Sequence, residues 1–235
     1  MSMKNKINVA VIGATGYTGL DLILLLSKHP KVSIKYLCAT KNLGKKISFF
    51  DKRIKKKLPR ITLTKNINWE NLDLIFLSLP NGEAQKLIIN KYFKNPHLKF
   101  IDLSADFRIR NHTTYFKNYK IKHKAKKLIK LSLYSIPELT KKDINKYRII
   151  SNPGCYPTSI QIPLIPIIKK KLIKLDDITI DSKSGFSGAG KKIKKKFKFK
   201  NLFTSVRAYG VGSHRHMAEI DQELTKAAKK KINVS

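Results

Sequence analysis

Three equally spaced glycines separate an apolar strand from an apolar helix near the start of the chain. Residues 7–12 predict a buried strand and residues 20–28 predict the helix, with Gly13, Gly16 and Gly19 between them. Glycine permits a tight turn and a close approach to a pyrophosphate, which the helix N-terminus attracts through its N–H groups and dipole. Two residues instead of one separate the first pair, so the pattern is not strict GxGxxG. A glycine-rich turn without a ligand is therefore the alternative interpretation.

Strands and helices keep alternating through the first 150 residues or so. Apolar strands are predicted at 32–37, 72–79, 98–103 and 147–151, and a helix at 83–94. Residues 111–130 are rich in lysine and lack clean periodicity, which predicts a loop with a short helix. Strands that alternate with helices predict a parallel sheet covered on both faces. We therefore expect an α/β fold with a Rossmann-like sheet.

The remainder of the chain predicts fewer strands. An apolar helix is expected at 160–173, where Pro163 and Pro166 must kink it or lie in its first turn, then a strand at 178–183 and a helix at 217–231.

One or two strands in about 85 residues make a thin basis for an independent sheet. We therefore expect two domains. Residues 1–150 are expected to form a dinucleotide-binding domain, and residues 151–235 the first part of a second domain whose C-terminal remainder is absent.

The charge of the chain is unusual, with 50 basic and 15 acidic residues and a net charge of +35. Such a charge suggests binding to nucleic acid. However, 43 of the basic residues are lysine and only 7 are arginine, the residue that base recognition favours. The lysines are spread over the chain, with a run at 191–200, as drift in an AT-rich genome would produce. A basic nucleic-acid-binding protein without catalysis remains an alternative.

The two cysteines, Cys38 and Cys155, form neither a disulfide framework nor a CxxC metal pattern. No stretch approaches the roughly 20 apolar residues of a membrane span. We expect a cytoplasmic protein that holds no metal.

The end of the second predicted strand bears on the choice of cofactor. An NAD site usually has an acidic residue there for the ribose 2′-hydroxyl. This chain has Thr40 and Lys41 instead, which favours the 2′-phosphate of NADP. The alternative is that Lys41 is simply one of 43 lysines.

Cys155 directly follows a predicted strand and begins a predicted helix. A helix N-terminus stabilises a thiolate, so this cysteine is a candidate nucleophile. A small buried residue, as predicted for Cys38, is an equally good interpretation from position alone.

Two further groups of polar residues carry possible chemistry. His214 and His216 lie two residues apart with Glu219 beyond them, and a histidine near a cysteine activates the thiol and shuttles protons. Ser104 and Arg108 lie just past the strand at 98–103, together with two aspartates. Arginine there suits a phosphate or a carboxylate, and a helix-capping turn is the alternative.

Seven segments in order over nearly the whole chain resemble the N-acetyl-γ-glutamyl-phosphate reductases, NADPH-dependent enzymes of arginine biosynthesis. They are GATGYTG (13–19), SLPNG (78–82), DLSADFR (102–108), YSIPE (134–138), SNPGCYPT (151–158), SGFSGAGKK (184–192) and GSHRHMAEI (212–220). Aspartate-semialdehyde dehydrogenase, acting on aspartyl phosphate, is similar in architecture, but its cysteine segment does not resemble NPGCYPT. Asn81, Ser135 and Ala218 depart from the residues usual in the reductases.

The resemblance implies a Rossmann domain and a second α/β domain that carries catalysis and subunit contacts, hence a homo-oligomer. It implies that Cys155 forms a thioester with an acyl phosphate and that His216, ahead of His214, is the acid and base, with Glu219 as the matched acid. The predicted cofactor-binding residues are Gly13, Thr15, Gly16, Tyr17, Thr18, Gly19, Thr40, Lys41, Pro80, Ser184, Gly185 and Gly188. The predicted substrate-binding residues are Ser104, Arg108, Asn152 and Ser187.

Overall fold

One parallel sheet organises most of the chain. The computed structural model describes residues 6–176, 178–190, 206, 208–211, 214–232 and 234. The strands are β1 (Ile7–Ile12), β2 (Val32–Cys38), β3 (Ile61–Thr62), β4 (Leu74–Leu77), β5 (Lys99–Asp102), β6 (Ser132–Tyr134) and β7 (Ile149–Ser151). Their order across the sheet is β3-β2-β1-β4-β5-β7-β6, and each neighbouring pair is parallel. The predicted α/β fold with a parallel sheet is confirmed.

Helices join the strands and cover them. They are α1 (Tyr17–Lys28), α2 (Glu83–Tyr92), α3 (His112–Tyr119), α4 (Lys126–Ile129), α5 (Pro137–Thr140), α6 (Cys155–Lys169) and α7 (Met217–Ala228). The central strand β1 is buried from Val9 to Ile12, as expected of a strand covered on both faces. Val9 and Val11 pack with Leu20 and Ile23 of α1 on one face.

Side chains alternate along β1, so Ala10 and Ile12 point to the opposite face. There they belong to a second apolar cluster that includes Ala84 and Ile88 of α2. Each face of the sheet therefore has its own core, with α1 on one face and α2 on the other.

A third apolar cluster lies between α6 and α7. Ile160, Ile165 and Ile168 of α6 pack with Ile220 and Leu224 of α7. The helix α6 begins five residues earlier than predicted, at Cys155, and ends at Lys169.

Pro163 and Pro166 lie inside α6 rather than in its first turn. Both are on the exposed face of the helix, as are Ser159 and Ile162, whose carbonyl groups lose their intrahelical N–H partners to the prolines. Solvent can reach those carbonyls on this face, which lowers the cost of the two prolines.

The prediction of a strand at 178–183 is wrong. Within the described residues this segment forms only an isolated parallel bridge between Ile178 and Val234. Ile178 and Ile180 pack instead against the cluster between α6 and α7, so their alternation reflects contact with helices and not membership of a sheet. The helix predicted at 217–231 ends at Ala228, and the basic run at 191–200 lies outside the described residues.

The turn after β1 leaves no room for a side chain at Gly13. This residue has φ +91°, and a Cβ built on it would stand 2.0 Å from the carbonyl oxygen of Ser78. Gly44 has a similar φ of +75° but no atom within 4 Å of its Cβ position. A comparison of Gly13 with Gly44 therefore separates the cost of backbone strain from the cost of bringing two chain segments close together.

We expect Gly13→Ala to lower the free energy of unfolding by about 3 kcal/mol or more, because overpacking and backbone strain each cost ~1–3 kcal/mol. Gly44→Ala carries the strain alone and should cost about 1–2 kcal/mol. Urea unfolding of both variants measures the difference. Equal losses would contradict the close contact at Gly13.

Candidate active site

A large cavity lies at the carboxyl ends of the central strands. The chain runs outward from β1 to β2 and β3 and then returns to β4 on the other side of β1, and such a switch point is where open α/β sheets bind ligands. The cavity has a volume of about 1710 Å³. It extends from the glycine-rich turn at the start of α1 to Cys155 at the start of α6.

The glycine-rich turn forms one wall of this cavity. Thr15, Gly16, Tyr17 and Thr18 line it, and no side chain caps the N-terminus of α1. A Cβ on Gly16 would meet only one protein atom, at 3.5 Å, and would otherwise enter open space. The fold itself does not require glycine at this position, but a ligand lying against the turn would.

Gly19 does not line the cavity with the other predicted cofactor residues. A Cβ on Gly19 would stand 2.3 Å from the carbonyl oxygen of Gly13 and 3.2 Å from Ala14. Its absence of a side chain lets α1 pack closely against the end of β1.

The far end of the cavity contains Thr40 but not Lys41. Lys65 lines this end instead, next to Trp69. The Lys91 Nζ lies 4.3 Å from the centre of the Trp69 ring, which is a cation–π contact. Lys65 and Lys91 therefore place positive charge at this end of the cavity.

Cys155 is the first residue of α6, and its side chain is exposed at the cavity wall. The positive end of the helix dipole stabilises a thiolate at this position. Cys38 is the opposite case, because it is fully buried in β2 and burial raises the pKa of its thiol to about 11. The interpretation as a small core residue is thus correct for Cys38 and not for Cys155.

His216 lies against the residue that precedes the cysteine. A Cβ on Gly154 would stand 2.7 Å from Nε2 of His216, so only glycine fits there. Burial, and then the charge of Arg108, lowers the pKa of His216 to about 3. The imidazole without a bound ligand is therefore neutral at pH 7.

His214 contacts Tyr156 in the cysteine segment but does not line the large cavity. Its ring centre is 4.9 Å from that of His216, and its ring contacts Tyr156 and Tyr209 edge-on. Burial also lowers the pKa of His214. The geometry favours His216 over His214 for contact with the cysteine.

Glu219 in the first turn of α7 is fully buried behind the cysteine segment. Its Oε1 accepts the Gly154 N–H at 2.9 Å and the Tyr134 hydroxyl at 2.8 Å, and Gln161 donates to that same hydroxyl at 2.7 Å. Its Oε2 lies 3.7 Å from Nη1 of Arg108. Burial raises the pKa of Glu219, while Arg108 lowers it. Glu219 therefore holds the backbone that carries Cys155 and does not line the cavity itself.

Arg108 lies between β5 and the cysteine segment. It donates through Nε to the carbonyl of Asn152 and through Nη2 to that of Leu103, both at 2.8 Å. The residue is only 8% exposed and lines the large cavity, as Asn152 does. Its guanidinium group therefore places a positive charge at the cavity wall.

Asp106, in the segment after β5, caps the start of α2, as the capping alternative for that segment predicts. Its carboxylate accepts the N–H groups of Gly82 and Gln85 at the start of α2, at 2.7 and 3.0 Å, and the hydroxyl of Tyr115 at 2.7 Å. Ser104 lies apart from the large cavity and lines a smaller one beside it.

Some of the remaining predicted site residues line the large cavity and others do not. Pro80, Ser187 and Gly188 line the large cavity, whereas Ser184 and Gly185 do not. Residues 191–205, 207, 212 and 213 lie outside the described part of the chain, so the last two residues of SGFSGAGKK and the first two of GSHRHMAEI do too. Among the described residues no group of three or more His, Cys, Asp and Glu side chains is placed to hold a metal ion.

The comparisons with known proteins agree with this geometry. A family model described as the semialdehyde dehydrogenase NAD-binding domain matches residues 8–147, and a model described as the semialdehyde dehydrogenase dimerisation domain matches residues 155–235. The N-acetyl-gamma-glutamyl-phosphate reductase of Afipia carboxidovorans is 40% identical over 99% of this chain and 67% of that protein. This chain belongs to the N-acetyl-gamma-glutamyl-phosphate reductase family.

Other members match equally well. The reductase of Ehrlichia canis is 42% identical over 96% of this chain and 65% of that protein, and the probable chloroplastic reductase of Oryza sativa is 40% identical over 98% and 55%. The chain thus spans 55 to 67% of the length of these relatives. The family resemblance predicted from the seven segments and the nicotinamide cofactor class are confirmed, and nucleic-acid binding is not favoured.

Solved structures show the same fold. Aspartate semialdehyde dehydrogenase II of Vibrio cholerae superposes with a TM-score of 0.61 at 16% identity, covering 99% of this chain and 70% of that one. The NADP complex of the Candida albicans aspartate semialdehyde dehydrogenase has a TM-score of 0.55 at 19% identity, covering 98% and 66%. No helix among the described residues is long and apolar enough to cross a membrane.

Sequence reasoning missed three polar residues of the site. Tyr134 lies within a segment that carried the family resemblance, and Arg215 lies between the two histidines of the predicted pair, so both had a signal. Tyr119 had none, because it falls in the lysine-rich stretch that predicted a loop. Its hydroxyl nevertheless reaches the site from the end of α3.

The two thiols should differ sharply in reactivity. We expect iodoacetamide at pH 7.5 to modify Cys155 on the order of 100-fold faster than Cys38 in the folded protein, because only Cys155 is exposed and at a helix N-terminus. Peptide mass spectrometry at timed intervals measures both rates. Cys155→Ser should leave the folded protein unlabelled, and comparable rates at the two cysteines would contradict this assignment.

Asp102 should make stability depend on pH. Burial, and then the Asp106 carboxylate, raises the pKa of Asp102 to about 7 in the folded protein, against ~3.9 when unfolded. The folded state therefore holds a proton that the unfolded chain has lost, and stability falls as pH rises through that window. We therefore compare the free energy of unfolding of Asp102→Asn with that of the native chain. This difference should shift in favour of the variant by about 1–3 kcal/mol between pH 4 and pH 8.

Urea unfolding across that range measures the effect, with the exposed Asp176→Asn as the control for removing one negative charge from a strongly basic chain. A pH-independent difference between Asp102→Asn and the native chain would show that the carboxyl group of Asp102 is ionised in the folded state.

Proposed function

We propose that the chain carries out the NADPH-dependent reduction of N-acetyl-γ-glutamyl phosphate to N-acetylglutamate semialdehyde and phosphate, as the names of its relatives indicate. One observation carries the proposal. The exposed thiol of Cys155 at a helix N-terminus, the neutral His216 behind it and the glycine-rich turn all line one cavity. A nucleophile, a base and a dinucleotide cradle in one cavity are what reduction of an acyl phosphate requires.

The residues present fit a nicotinamide dinucleotide. The open space at Gly16 and the uncapped start of α1 suit a pyrophosphate. Thr40 and Lys65 line the end of the cavity where the ribose 2′-phosphate of NADP would lie, whereas Lys41 does not line it. Ser187 and Gly188 line the cavity wall on the side of the cysteine segment.

The chemistry begins with a proton transfer and a displacement. His216 takes the proton of the Cys155 thiol, and the thiolate attacks the acyl carbon of the substrate. The new S–C bond forms, the bond from that carbon to the phosphate oxygen breaks, and phosphate leaves with the electron pair. The positive charge of Arg108 at the cavity wall stabilises the leaving anion.

The thioester on Cys155 is then reduced. NADPH, when bound, supplies the hydride at the thioester carbonyl. The imidazolium of His216 returns the proton that it took from the thiol to the oxyanion of the resulting hemithioacetal. The hemithioacetal then collapses with cleavage of its C–S bond, its hydroxyl proton passes back to His216, and the thiolate of Cys155 is restored. Glu219 takes no proton in these steps but fixes Gly154, and with it the direction of the thiol.

The same proposal includes the domain boundary, the oligomeric state and the location of the protein. The chain divides near residue 150, where β7 ends at Ser151 and α6 begins at Cys155. The match of residues 155–235 to a dimerisation domain supports a homo-oligomer. Two free thiols, one of them exposed, support a reducing cytoplasmic location.

We expect Cys155→Ala to lower turnover at least about 1,000-fold while leaving NADPH affinity within about twofold, because the thiol forms the covalent bond and does not hold the cofactor. Semialdehyde formation and a fluorescence titration with NADPH measure the two effects. Cys38→Ala, at the buried thiol, is the matched control. Full turnover by Cys155→Ala would exclude thioester chemistry.

We expect Gly16→Ala to weaken NADPH binding about tenfold or more, because the added methyl group enters the space in front of the turn. Its unfolding midpoint in urea should stay close to that of the native chain, since the methyl group meets no protein atom closer than 3.5 Å. NADH titrated in parallel should bind more weakly than NADPH to the native chain. Unchanged NADPH affinity in Gly16→Ala would place the cofactor elsewhere.

A further inference from the structure

A smaller cavity opens beside the cysteine and histidine. Its volume is about 150 Å³, on the order of five water molecules at ~30 Å³ each. We call it the polar niche, lined by the side chains of Asn81, Ser104, Arg108, Tyr119, Arg215 and His216. Arg108, Arg215 and His216 also line the large cavity, so the two spaces adjoin.

Two buried polar atoms at the polar niche lack partners among the described residues. They are the hydroxyl oxygen of Tyr119 and Nδ1 of His216, a residue that is only 6% exposed. A buried polar group without a hydrogen bond costs ~1–3 kcal/mol. Burial, and then the Glu219 carboxylate, raises the pKa of Tyr119, so its hydroxyl is a donor at neutral pH. The Tyr119 hydroxyl can therefore donate to an acceptor in the polar niche, and Nδ1 of His216 can do so in the tautomer that carries its proton there.

The charge around the polar niche is positive. Arg108 has one partial counter-charge, the Oε2 of Glu219 at 3.7 Å. Arg215 makes no ion pair with any carboxylate that the structure describes. His214, the other titratable group near His216, has a lowered pKa and adds no charge at pH 7. Donors and positive charge together select an oxyanion.

His216 has opposite surroundings at its two nitrogens. Nε2 lies against Gly154, beside the cysteine, whereas Nδ1 has no acceptor that would hold a proton there. The hydrogen bond made by one imidazole nitrogen decides which tautomer is present, and a base needs its lone pair on the nitrogen that faces the thiol. The described residues provide the base but not the group that would orient it.

We propose that the polar niche binds an oxyanion of the substrate, and that this anion accepts the Nδ1–H of His216 and so fixes the tautomer whose Nε2 lone pair faces Cys155. The substrate then supplies the third member of a cysteine–histidine–anion arrangement. The S–H bond of Cys155 breaks and an Nε2–H bond forms, and the bound anion stabilises the resulting imidazolium. The identity of the anion as part of the substrate rests on the proposed function.

An acyl phosphate of an amino acid carries two such groups, a carboxylate and a phosphate. Inorganic phosphate and acetate are therefore the two probes, added at constant ionic strength against chloride. The imidazole ¹⁵N shifts of His216, assigned by their loss in His216→Asn, report the tautomer. We expect a saturable change to the Nδ1–H tautomer with at least one probe. Response to phosphate alone assigns the polar niche to the phosphoryl group, and response to acetate alone assigns it to the carboxylate.

A second measurement follows the thiol. The rate at which iodoacetamide modifies Cys155 at pH 7 should rise at least about threefold with the effective anion, because the imidazolium stabilises the thiolate. The pH profile of that rate should shift to lower pH, which a merely structural role of the niche would not produce. The Cys155 rate in chloride is the baseline.

Tyr119→Phe and Arg215→Gln should each weaken the anion response about fivefold or more. Tyr147→Phe, before β7 at the opposite end of that strand, and Arg60→Gln, whose Nη1 donates to the Gly44 carbonyl, are the matched controls and should respond like the native chain. Unfolding midpoints identify any variant that fails to fold, and the titration of the native chain stands without the variants.

Two results would overturn the proposal. One is the absence of a saturable change at His216 with either anion, and the other is an undiminished response in both Tyr119→Phe and Arg215→Gln. A normal anion response without semialdehyde formation would count against the proposed function and leave anion binding intact. Normal turnover with no anion response would count against the polar niche alone.

Discussion

The buried carboxylate of Glu219 joins three distant parts of the chain around one thiol. It accepts hydrogen bonds from Gly154 before α6 and from Tyr134 in β6, and it faces Arg108 after β5. Burial alone would drive this carboxyl group towards its neutral form. Two donors and one guanidinium group compensate for the lost water, so the carboxylate, the cysteine segment and the sheet edge depend on one another. Removal of Glu219 would leave Arg108 buried without its counter-charge, a larger loss than a missing hydrogen bond.

Much of the sheet could be predicted because its strands are continuous apolar runs. Residues 7–12 were predicted with their observed bounds, and β2, β4 and β5 lie within a few residues of their predictions. The short strands β3 and β6 were missed because two or three residues carry no recognisable period. The segment at 178–183 has the alternation of a strand, but its isoleucines pack on helices.

The position of a site residue could be predicted where the order of strands and helices determines it. It could not be predicted where the packing of distant segments determines it. Cys155 follows a strand and begins a helix, and that order of elements fixed its place at the carboxyl end of the sheet. Whether a cysteine there is exposed, as Cys155 is, or buried, as Cys38 is, depends on contacts from distant segments. Lys41 and Lys65 could not be separated in a chain with 43 lysines, because only the fold determines which of them reaches the cavity.

The order of strands at the sheet edge constrains how the chain assembles during synthesis. β7 lies between β5 and β6, although β6 precedes it in the chain, so β6 has no partner in the sheet until β7 is present. Before residues 149–151 leave the ribosome, the outer edge of β5 has unpaired N–H and C=O groups. β7 can therefore pair with β5 alone, whereas β6 joins the sheet only with β7 or after it. Since α6 begins four residues after the end of β7, the pairing of β7 with β5 also positions the start of α6. The exposed thiol of Cys155 therefore reaches its place at the cavity only once the strand that precedes α6 has joined the sheet.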